Sequence, residues 1–322
     1  MSQEQTNHHA LAPGCRLDDY VIERRIGGGG FSIVYLARVA DTGVEVIIKE
    51  YMPLKLAFRD SDGVTIRTRD DQSNENFSHG RRLFFQEAST LATLKHPNIV
   101  NVINFFRAHG TVYMVMAYEK GMNLQDYIRR HNGNLSEALI RTVFPALLDG
   151  LKLIHTQGML HLDIKPGNIY LRAGGNPLLL DFGAVHQILQ SRQFQPSQVV
   201  TPGFSPIEQL DPSGYVGPWT DIYALGATMR ACIEGSAPPP AAERRMKETM
   251  KPAVVAFRRR YSQGLLAAID WAMEVDPLLR PQSVDELIEA LERDAPAAAA
   301  DGNQDESMLE RLANSLPWIN KG

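Results

Sequence analysis

His161-Leu162-Asp163-Ile164-Lys165-Pro166-Gly167-Asn168 gathers a carboxylate, a lysine and a carboxamide into one short stretch. It follows a segment in which Ile140, Val143, Leu147, Leu151 and Ile154 recur at spacings of 3 and 4, the stripe of an amphipathic helix. Ser136 is placed to cap that helix, with Leu135 and Ile140 as a hydrophobic staple. The residue types in the octet suit phosphoryl transfer: a carboxylate for a hydroxyl nucleophile, a cation for developing charge, and an amide oxygen for a metal. Further on, Leu178-Leu179-Leu180-Asp181-Phe182-Gly183 carries a second acid from a β-prone run into a Phe-Gly turn, a fitting oxygen donor for Mg²⁺.

Towards the N-terminus the pattern becomes strand-like. Tyr20-Val21-Ile22 leads to the glycine run Gly27-Gly28-Gly29-Gly30, followed by Phe31, Ser32 and the run Ile33 to Ala37. An Asp41-Thr42-Gly43 turn then precedes Val44 to Ile48, so the two runs read as a hairpin. Glycines between strands let backbone amides approach phosphates, because no Cβ intervenes. Lys49, directly after an apolar strand, can hold phosphate oxygens as a fixed charge. Either feature alone is weak.

Residues 52–80 read as polar and irregular, a small extra hairpin around Asp60-Ser61-Asp62-Gly63 or an insertion. A helix is expected over Leu83–Leu94, with Leu83, Phe84, Ala88, Leu91 and Leu94 on one face. Ile99 to Phe106 and Val112 to Tyr118 are β-prone. After a seam near Gly121 the chain turns helical, with further helices expected at 219–234, 263–275 and 284–293, the last opened by a Ser283-x-x-Glu286 capping box. A β-rich part followed by a helical part reads as an α+β chain of two lobes.

Composition excludes several classes. Lys plus Arg is 33 and Asp plus Glu is 37, a net charge of −4, which argues against nonspecific nucleic-acid binding. The two cysteines, Cys15 and Cys232, exclude a disulfide framework or a cysteine zinc cluster and fit a reducing, cytoplasmic setting. No apolar run is long enough for a membrane span. Residues 1–15 read as a flexible arm. Residues 295–322 read as a linker followed by either a frayed terminus, the more usual state of a chain end, or a short docking helix at Met308–Trp318, where Leu309, Leu312, Ala313 and Leu316 have helical spacing.

Taken together, these elements resemble the eukaryotic-like Ser/Thr protein kinase family. The resemblance covers residues 16–294, with an N-lobe over 16–120 and a C-lobe over 121–294. Lys49-Glu50-Tyr51-Met52-Pro53 and the stretch Pro218 to Gly226 look like bacterial members. The resemblance implies a bilobal kinase fold with a β-rich N-lobe and a mainly α-helical C-lobe, ATP held between them, and Mg²⁺ or Mn²⁺ as cofactor. Its implied reaction is transfer of the γ-phosphoryl to Ser or Thr of protein substrates, with autophosphorylation. Residue by residue, it assigns Lys49 to the α/β-phosphates, paired with Glu87. Asp163 would accept or orient the substrate hydroxyl, and Lys165 would neutralise the γ-phosphoryl. Asn168 and Asp181 would hold the metal. The nucleotide would meet Gly27, Gly28, Gly29, Gly30, Phe31, Val34, Ile47 and Lys49. Met116 would be the gatekeeper, Ala117-Tyr118-Glu119 the hinge, Asn123 the ribose neighbour and Tyr170 the floor. Thr201 would lie in the substrate-facing loop, Glu208 would pair with Arg280, and Asp221 would brace the catalytic loop. His161 would pack beneath Phe182.

Four positions depart from the family pattern. Ser32 replaces a third glycine but is small. Ile47 and Tyr170 are larger than usual and would crowd the nucleotide, at about 1–3 kcal/mol for an unrelieved overpacking. Leu162 stands where arginine commonly receives a loop phosphate; leucine cannot pair with an anion, so a switch of that type is not expected, although Ser191, Ser197 and Thr201 lie in the loop. Two alternatives follow from the same residues: a weak pseudokinase acting as a signalling scaffold, or a small-molecule kinase on the same fold.

Overall fold

A computed structural model describes residues 9–181, 186–187, 200–211 and 213–293. These fall into two compact units: residues 9–96 with 100–119, and residues 97–99 with 120–293.

The first unit is built on one antiparallel sheet of β1 (Arg16–Leu17), β2 (Tyr20–Gly28), β3 (Ser32–Val39), β4 (Glu45–Tyr51), β7 (Val102–Ala108) and β8 (Thr111–Ala117), in the order β1-β2-β3-β4-β8-β7. Between β4 and β7 lie a two-stranded hairpin, β5 (Ala57–Arg59) with β6 (Ile66–Thr68), and the helix α1 (Asp71–Thr93). The hairpin turn forms at the expected Asp60–Gly63. Its Asp62 carboxylate accepts from the Val64 and Thr65 amides at 2.9 and 2.8 Å and from the Thr65 hydroxyl at 2.6 Å. These bonds draw the Asp62 carboxyl down to about 2.

Two expectations for this unit are corrected. The helix begins at Asp71 rather than Leu83, where Asp70 caps it by accepting from the Ser73 amide at 2.7 Å. Its polar first turns hid it. The buried face is Phe77, Phe84, Ala88 and Leu91, whereas Leu83 points outward. Tyr51 of β4 packs against Phe77 and Phe84, with ring centroids at 5.3 and 5.7 Å. Gly80 lies beside it on the helix, where a Cβ would meet the Tyr51 hydroxyl at 2.1 Å, so only glycine admits this packing. Secondly, the arm expected over residues 1–15 is packed from His9 onward. Leu11 is buried, its amide donates to the Tyr35 hydroxyl at 3.0 Å, and the Gly14 amide bonds the Ile22 carbonyl. One apolar side chain and two satisfied amides suffice to hold a short segment to a sheet.

The second unit contains β9 (Gly121–Asn123), α2 (Leu124–His131), α3 (Glu137–Thr156), β10 (Met159–Leu160), β11 (Ile169–Arg172), β12 (Pro177–Leu179), β13 (His186–Gln187), α4 (Ile207–Leu210), α5 (Pro218–Glu234), α6 (Ala241–Met246), α7 (Ala253–Ala256), α8 (Gln263–Ala272) and α9 (Val284–Glu292). Strands β12-β11-β9 form a small sheet and β10 pairs with β13. The expected caps are present: the Ser136 hydroxyl accepts from the Leu139 amide, and the Ser283 hydroxyl accepts from the Glu286 amide. Helix α5 is buried along nearly its full length, its Asp221, Thr228 and Arg230 included, as a central helix is. Residues 97–99, expected with the first part, belong here. Asn98 donates to the Pro177 carbonyl at 2.8 Å, its own carbonyl accepts from the Leu179 amide, and Ile99 bridges to Leu179. Among the described residues no helix is long and apolar enough to cross a membrane.

Candidate active site

Strand β10 delivers the chain to the octet at Leu160, and a single 3-10 turn at Pro166–Asn168 hands it on to β11. Between them the backbone is held in an unusual shape. Leu162 has φ of +61°, a left-handed conformation costing roughly 1–3 kcal/mol for a non-glycine residue. Three hydrogen bonds hold it there. The fully buried Asp221 carboxylate accepts from the His161 amide at 2.9 Å and the Leu162 amide at 2.8 Å, and the Gln209 side chain donates to the Leu162 carbonyl at 2.7 Å. His155, at the end of α3, also donates to Asp221 at 2.8 Å. Burial pushes the Asp221 carboxyl up, but the bonds from the His155 ring and the His161 amide outweigh it and hold the carboxyl below the usual range. The Leu162 side chain, where the family resemblance expects arginine, packs with Leu160 and Val216.

His161 is fully buried, and burial lowers its pKa, so the ring is neutral. Its Nδ1 accepts from the Asp163 amide at 3.3 Å, which leaves Nε2 to donate to the Leu180 carbonyl at 3.1 Å. One imidazole thus couples the segment carrying Asp163 to the segment carrying Asp181. The expected packing under Phe182 lies outside the described residues, as do Gly183, Ser191 and Ser197.

Asp163, Lys165 and Asn168 come together as the sequence suggested. Lys165 Nζ donates to both Asp163 oxygens at 2.8 Å. The Asn168 Nδ2 donates to the Asp163 carbonyl at 2.8 Å and to its Oδ2 at 2.9 Å. A further member was placed only in the substrate-facing loop by sequence reasoning. The Thr201 hydroxyl donates to Asp163 Oδ1 at 3.0 Å and accepts from Lys165 Nζ at 3.1 Å. An aliphatic hydroxyl therefore bonds both the carboxylate and the ammonium. Thr201 is 38 residues from Asp163, and no local spacing could have revealed the bond. His155 and Gln209 were missed as supports for the same reason.

The residues assigned to the metal fit a hard cation. With Nδ2 of Asn168 spent on Asp163, the group it offers a cation is its Oδ1. Asp181, an exposed carboxylate at φ +54°, supplies another oxygen.

In the first unit the sheet register collects the nucleotide-binding candidates. Val34 pairs with Lys49, and Ile47 with Met116, so all four side chains share one face. Lys49 lies on this face with Nζ 5.7 Å over the Phe84 ring, and Glu87, with Oε1 buried, is one helical turn beyond Phe84. Gly27 pairs with Val34. Gly28, at φ +140°, is a backbone requirement, since a Cβ would meet the Ser32 carbonyl at 2.7 Å. Gly29 and Gly30 are different: a Cβ on either meets nothing within 4 Å. Packing among the described residues does not ask for glycine there, and close approach of a ligand's phosphates would. Phe31 at the loop tip is exposed. Ala117 closes β8 opposite Val46, with Tyr118 and Glu119 following.

In the second unit Tyr170 and Asn123 are cross-strand partners. Asn123, expected beside a ribose, caps α2 by accepting from the Asp126 amide at 2.7 Å. The expected Glu208–Arg280 pair is bidentate, at 2.7 and 3.1 Å, and buried, with the Thr220 hydroxyl donating to Glu208 at 2.9 Å.

The model of the family described as "Protein kinase domain" matches residues 20–290. The chain is 31% identical to "CBL-interacting protein kinase 21" of Oryza sativa subsp. japonica, over 73% of this chain and 42% of that protein. It is 32% identical to "CBL-interacting serine/threonine-protein kinase 19" of Arabidopsis thaliana, over 73% and 44%. It thus spans under half the length of these relatives. Among solved structures, "PpkA-294 apo form" aligns with a TM-score of 0.79 and 36% identity, covering 88% of this chain and all of that one.

Proposed function

Because this chain belongs to the protein kinase domain family and has its fold, we propose that it is a serine/threonine protein kinase. It transfers the γ-phosphoryl of ATP to Ser or Thr hydroxyls of proteins, its own included. The observation that carries this reading is the convergence of Asp163, Lys165 and the Thr201 hydroxyl within 3.1 Å. A neutral hydroxyl that bonds both the carboxylate and the ammonium supports the reading that an acceptor hydroxyl can be held there.

Asp163 orients the acceptor oxygen and takes its proton as the oxygen–phosphorus bond forms and the bond to the departing β-phosphate oxygen breaks. Lys165 balances the charge that spreads over the transferring group. Asn168 anchors Asp163 through two bonds from one amide. Bound Mg²⁺ would supply charge neutralisation on the phosphates, held by the oxygens of Asn168 and Asp181. Lys49, paired with Glu87, holds the phosphates, and Gly29 and Gly30 admit them to the backbone. Ala117, Tyr118 and Glu119 offer backbone groups to adenine, with Val34, Ile47 and Met116 on the same side of the sheet. Leu162 offers no cation to a phosphorylated loop, so activity does not depend on a phosphate paired there.

The test is transfer of labelled γ-phosphate to the protein itself and to a generic basic protein, beside Asp163→Ala. Loss of a general base is expected to lower transfer about 10²–10⁴-fold. Equal transfer by parent and variant would refute the assignment. Nucleotide binding without transfer by the parent would favour the scaffold reading.

A further inference from the structure

Beside Lys49 the structure holds a buried carboxylate that phosphate binding does not use. Glu50 is fully buried. Its Oε2 accepts from the Tyr35 hydroxyl at 2.7 Å and from Arg59 Nη2 at 2.6 Å, and its Oε1 accepts from the Tyr113 hydroxyl at 2.7 Å. The Arg59 side chain is 3% exposed, and its other nitrogens are also engaged: Nε donates to the His9 carbonyl at 2.7 Å and Nη1 to the Val64 carbonyl at 2.8 Å. One guanidinium thus ties together β4, the inserted hairpin and the arm.

Consecutive residues of a strand point to opposite faces. Lys49 lies on the face covered by α1, and Glu50 on the face covered by the hairpin and the arm. Fixing Glu50 therefore fixes the pleat from which Lys49 projects. The same stretch also restrains the glycine loop, since the Met52 amide donates to the Phe31 carbonyl at 2.9 Å and the Leu54 amide to the Gly30 carbonyl at 3.1 Å. Arg69, just past the hairpin, donates to the Leu54 carbonyl at 3.3 Å. The insertion is continuous by hydrogen bonds with both phosphate-binding elements of this unit.

We propose that Arg59 is a positioning residue for Lys49 and the glycine loop, and that the hairpin 57–68 is a brace for nucleotide binding. This rests on the kinase reading above. Removing the guanidinium releases Glu50 from the hairpin and arm, and Lys49 then loses its set direction.

Three variants test this on the full chain: Arg59→Met, Arg59→Lys, and Glu50→Gln with Arg59→Met. Thermal melting, ATP–Mg²⁺ affinity by calorimetry, and separate KM values for ATP and for the basic protein are measured. The double variant leaves no unpaired buried charge, and the amide introduced by Glu50→Gln can accept from one tyrosine hydroxyl through its oxygen and donate to the other hydroxyl's oxygen through its NH2. It is expected to melt near the parent yet show kcat/KM for ATP lowered at least about tenfold, towards the roughly hundredfold of an ångström-scale misplacement. KM for the protein substrate should not change. A folded double variant with the parent's ATP parameters overturns the proposal and leaves the kinase reading intact. Should the double variant not fold, Arg59→Lys decides, because lysine keeps the charge but cannot also bond His9 and Val64: an intermediate rise in KM for ATP alone supports the brace, and parent values overturn it. A parent that binds no ATP overturns the kinase reading, and the brace with it.

Discussion

Two buried arginine–glutamate pairs stand one in each unit, and they are built differently. Arg280 meets Glu208 with two parallel bonds, 72 residues apart in sequence, with Thr220 adding a third donor. Arg59 meets Glu50 through Nη2 alone, 9 residues apart, and two tyrosine hydroxyls complete the carboxylate's shell. In the first, the guanidinium fork satisfies the acid almost by itself. In the second, neutral donors share the load; both guanidiniums also donate to backbone carbonyls, Arg280 to those of Trp219, Glu274 and Val275, and Arg59 to those of His9 and Val64. Burial makes each pair unforgiving, because removing one partner strands a charge in a low-dielectric site. The bidentate pair joins α4, α5 and the segment after α8, and the single-bonded pair joins β4, the hairpin and the arm, so the two differ in how the acid is satisfied.

The largest expected effect is that of Arg280→Met. Stranding Glu208 should destabilise the second unit by about 3–5 kcal/mol. At roughly 2–4 °C per kcal/mol for a unit of this size, the melting temperature falls by roughly 6–20 °C. A melting temperature within about 2 °C of the parent would break the analogy between the pairs.

Next come the neutral donors. Tyr113→Phe removes the hydroxyl that donates to Glu50 Oε1, and a buried acceptor left unsatisfied costs about 1–3 kcal/mol. Thr220→Val removes a donor from Glu208 Oε1, which still receives Arg280 at 2.7 Å, so a loss of about 1 kcal/mol is expected. Chemical denaturation of the two variants side by side measures the difference. A larger loss for Thr220→Val would reverse the assignment of which acid depends on its neutral donors.

A pH series sets both pairs against the neutral His161. Burial lowers its folded pKa, so the unfolded chain takes up a proton first, near the ordinary value of about 6.5. Its contribution is present above that value and is lost as pH falls below it, by at most about 1.4 kcal/mol per pH unit. Between about pH 7 and 5.5, a window that brackets the ordinary value, the parent's melting temperature should fall, and His161→Asn should flatten the slope. An unchanged slope would mean that the ring is not held neutral.

The smallest effect is expected at the hairpin turn. Asp62→Asn removes an exposed carboxylate held at about 2 by local bonds. Such a depressed carboxyl contributes above its unfolded value, and the contribution fades as pH falls through that value towards about 2. Because the group is exposed and its bonds are local to the turn, melting at about pH 7 should be unchanged within error. ATP affinity should also be unchanged, since the brace runs through Arg59 and not through the turn tip.

Much of this was legible in the chain, for identifiable reasons. The helix over 137–156 announced itself through a spacing that any amphipathic helix must show, and its serine cap through the chemistry of unpaired amides. Asp163, Lys165 and Asn168 are neighbours in sequence, so a single tight turn suffices to bring them together. Gly28 is required by its own backbone angle. Glu208 and Arg280 could be paired through a family pattern, although nothing in their local spacing joins them.

What remained hidden depended on contacts between distant segments. The first turns of α1 are polar on every side but one, and Phe77 alone does not make a periodic signal. The arm looked loose because one leucine carries its burial. Thr201 reaches Asp163 across 38 residues, and Glu50 reads in sequence as one more charged residue after a strand. Local backbone preference and side-chain periodicity are properties of a few consecutive residues, so the sequence by itself determined most of the elements, the serine caps and the grouping of Asp163, Lys165 and Asn168 in one octet. Which buried charge meets which partner is settled only when the sheet's two faces acquire different covers. The tertiary structure therefore decided that Lys49 faces the helix while Glu50 turns back to the hairpin.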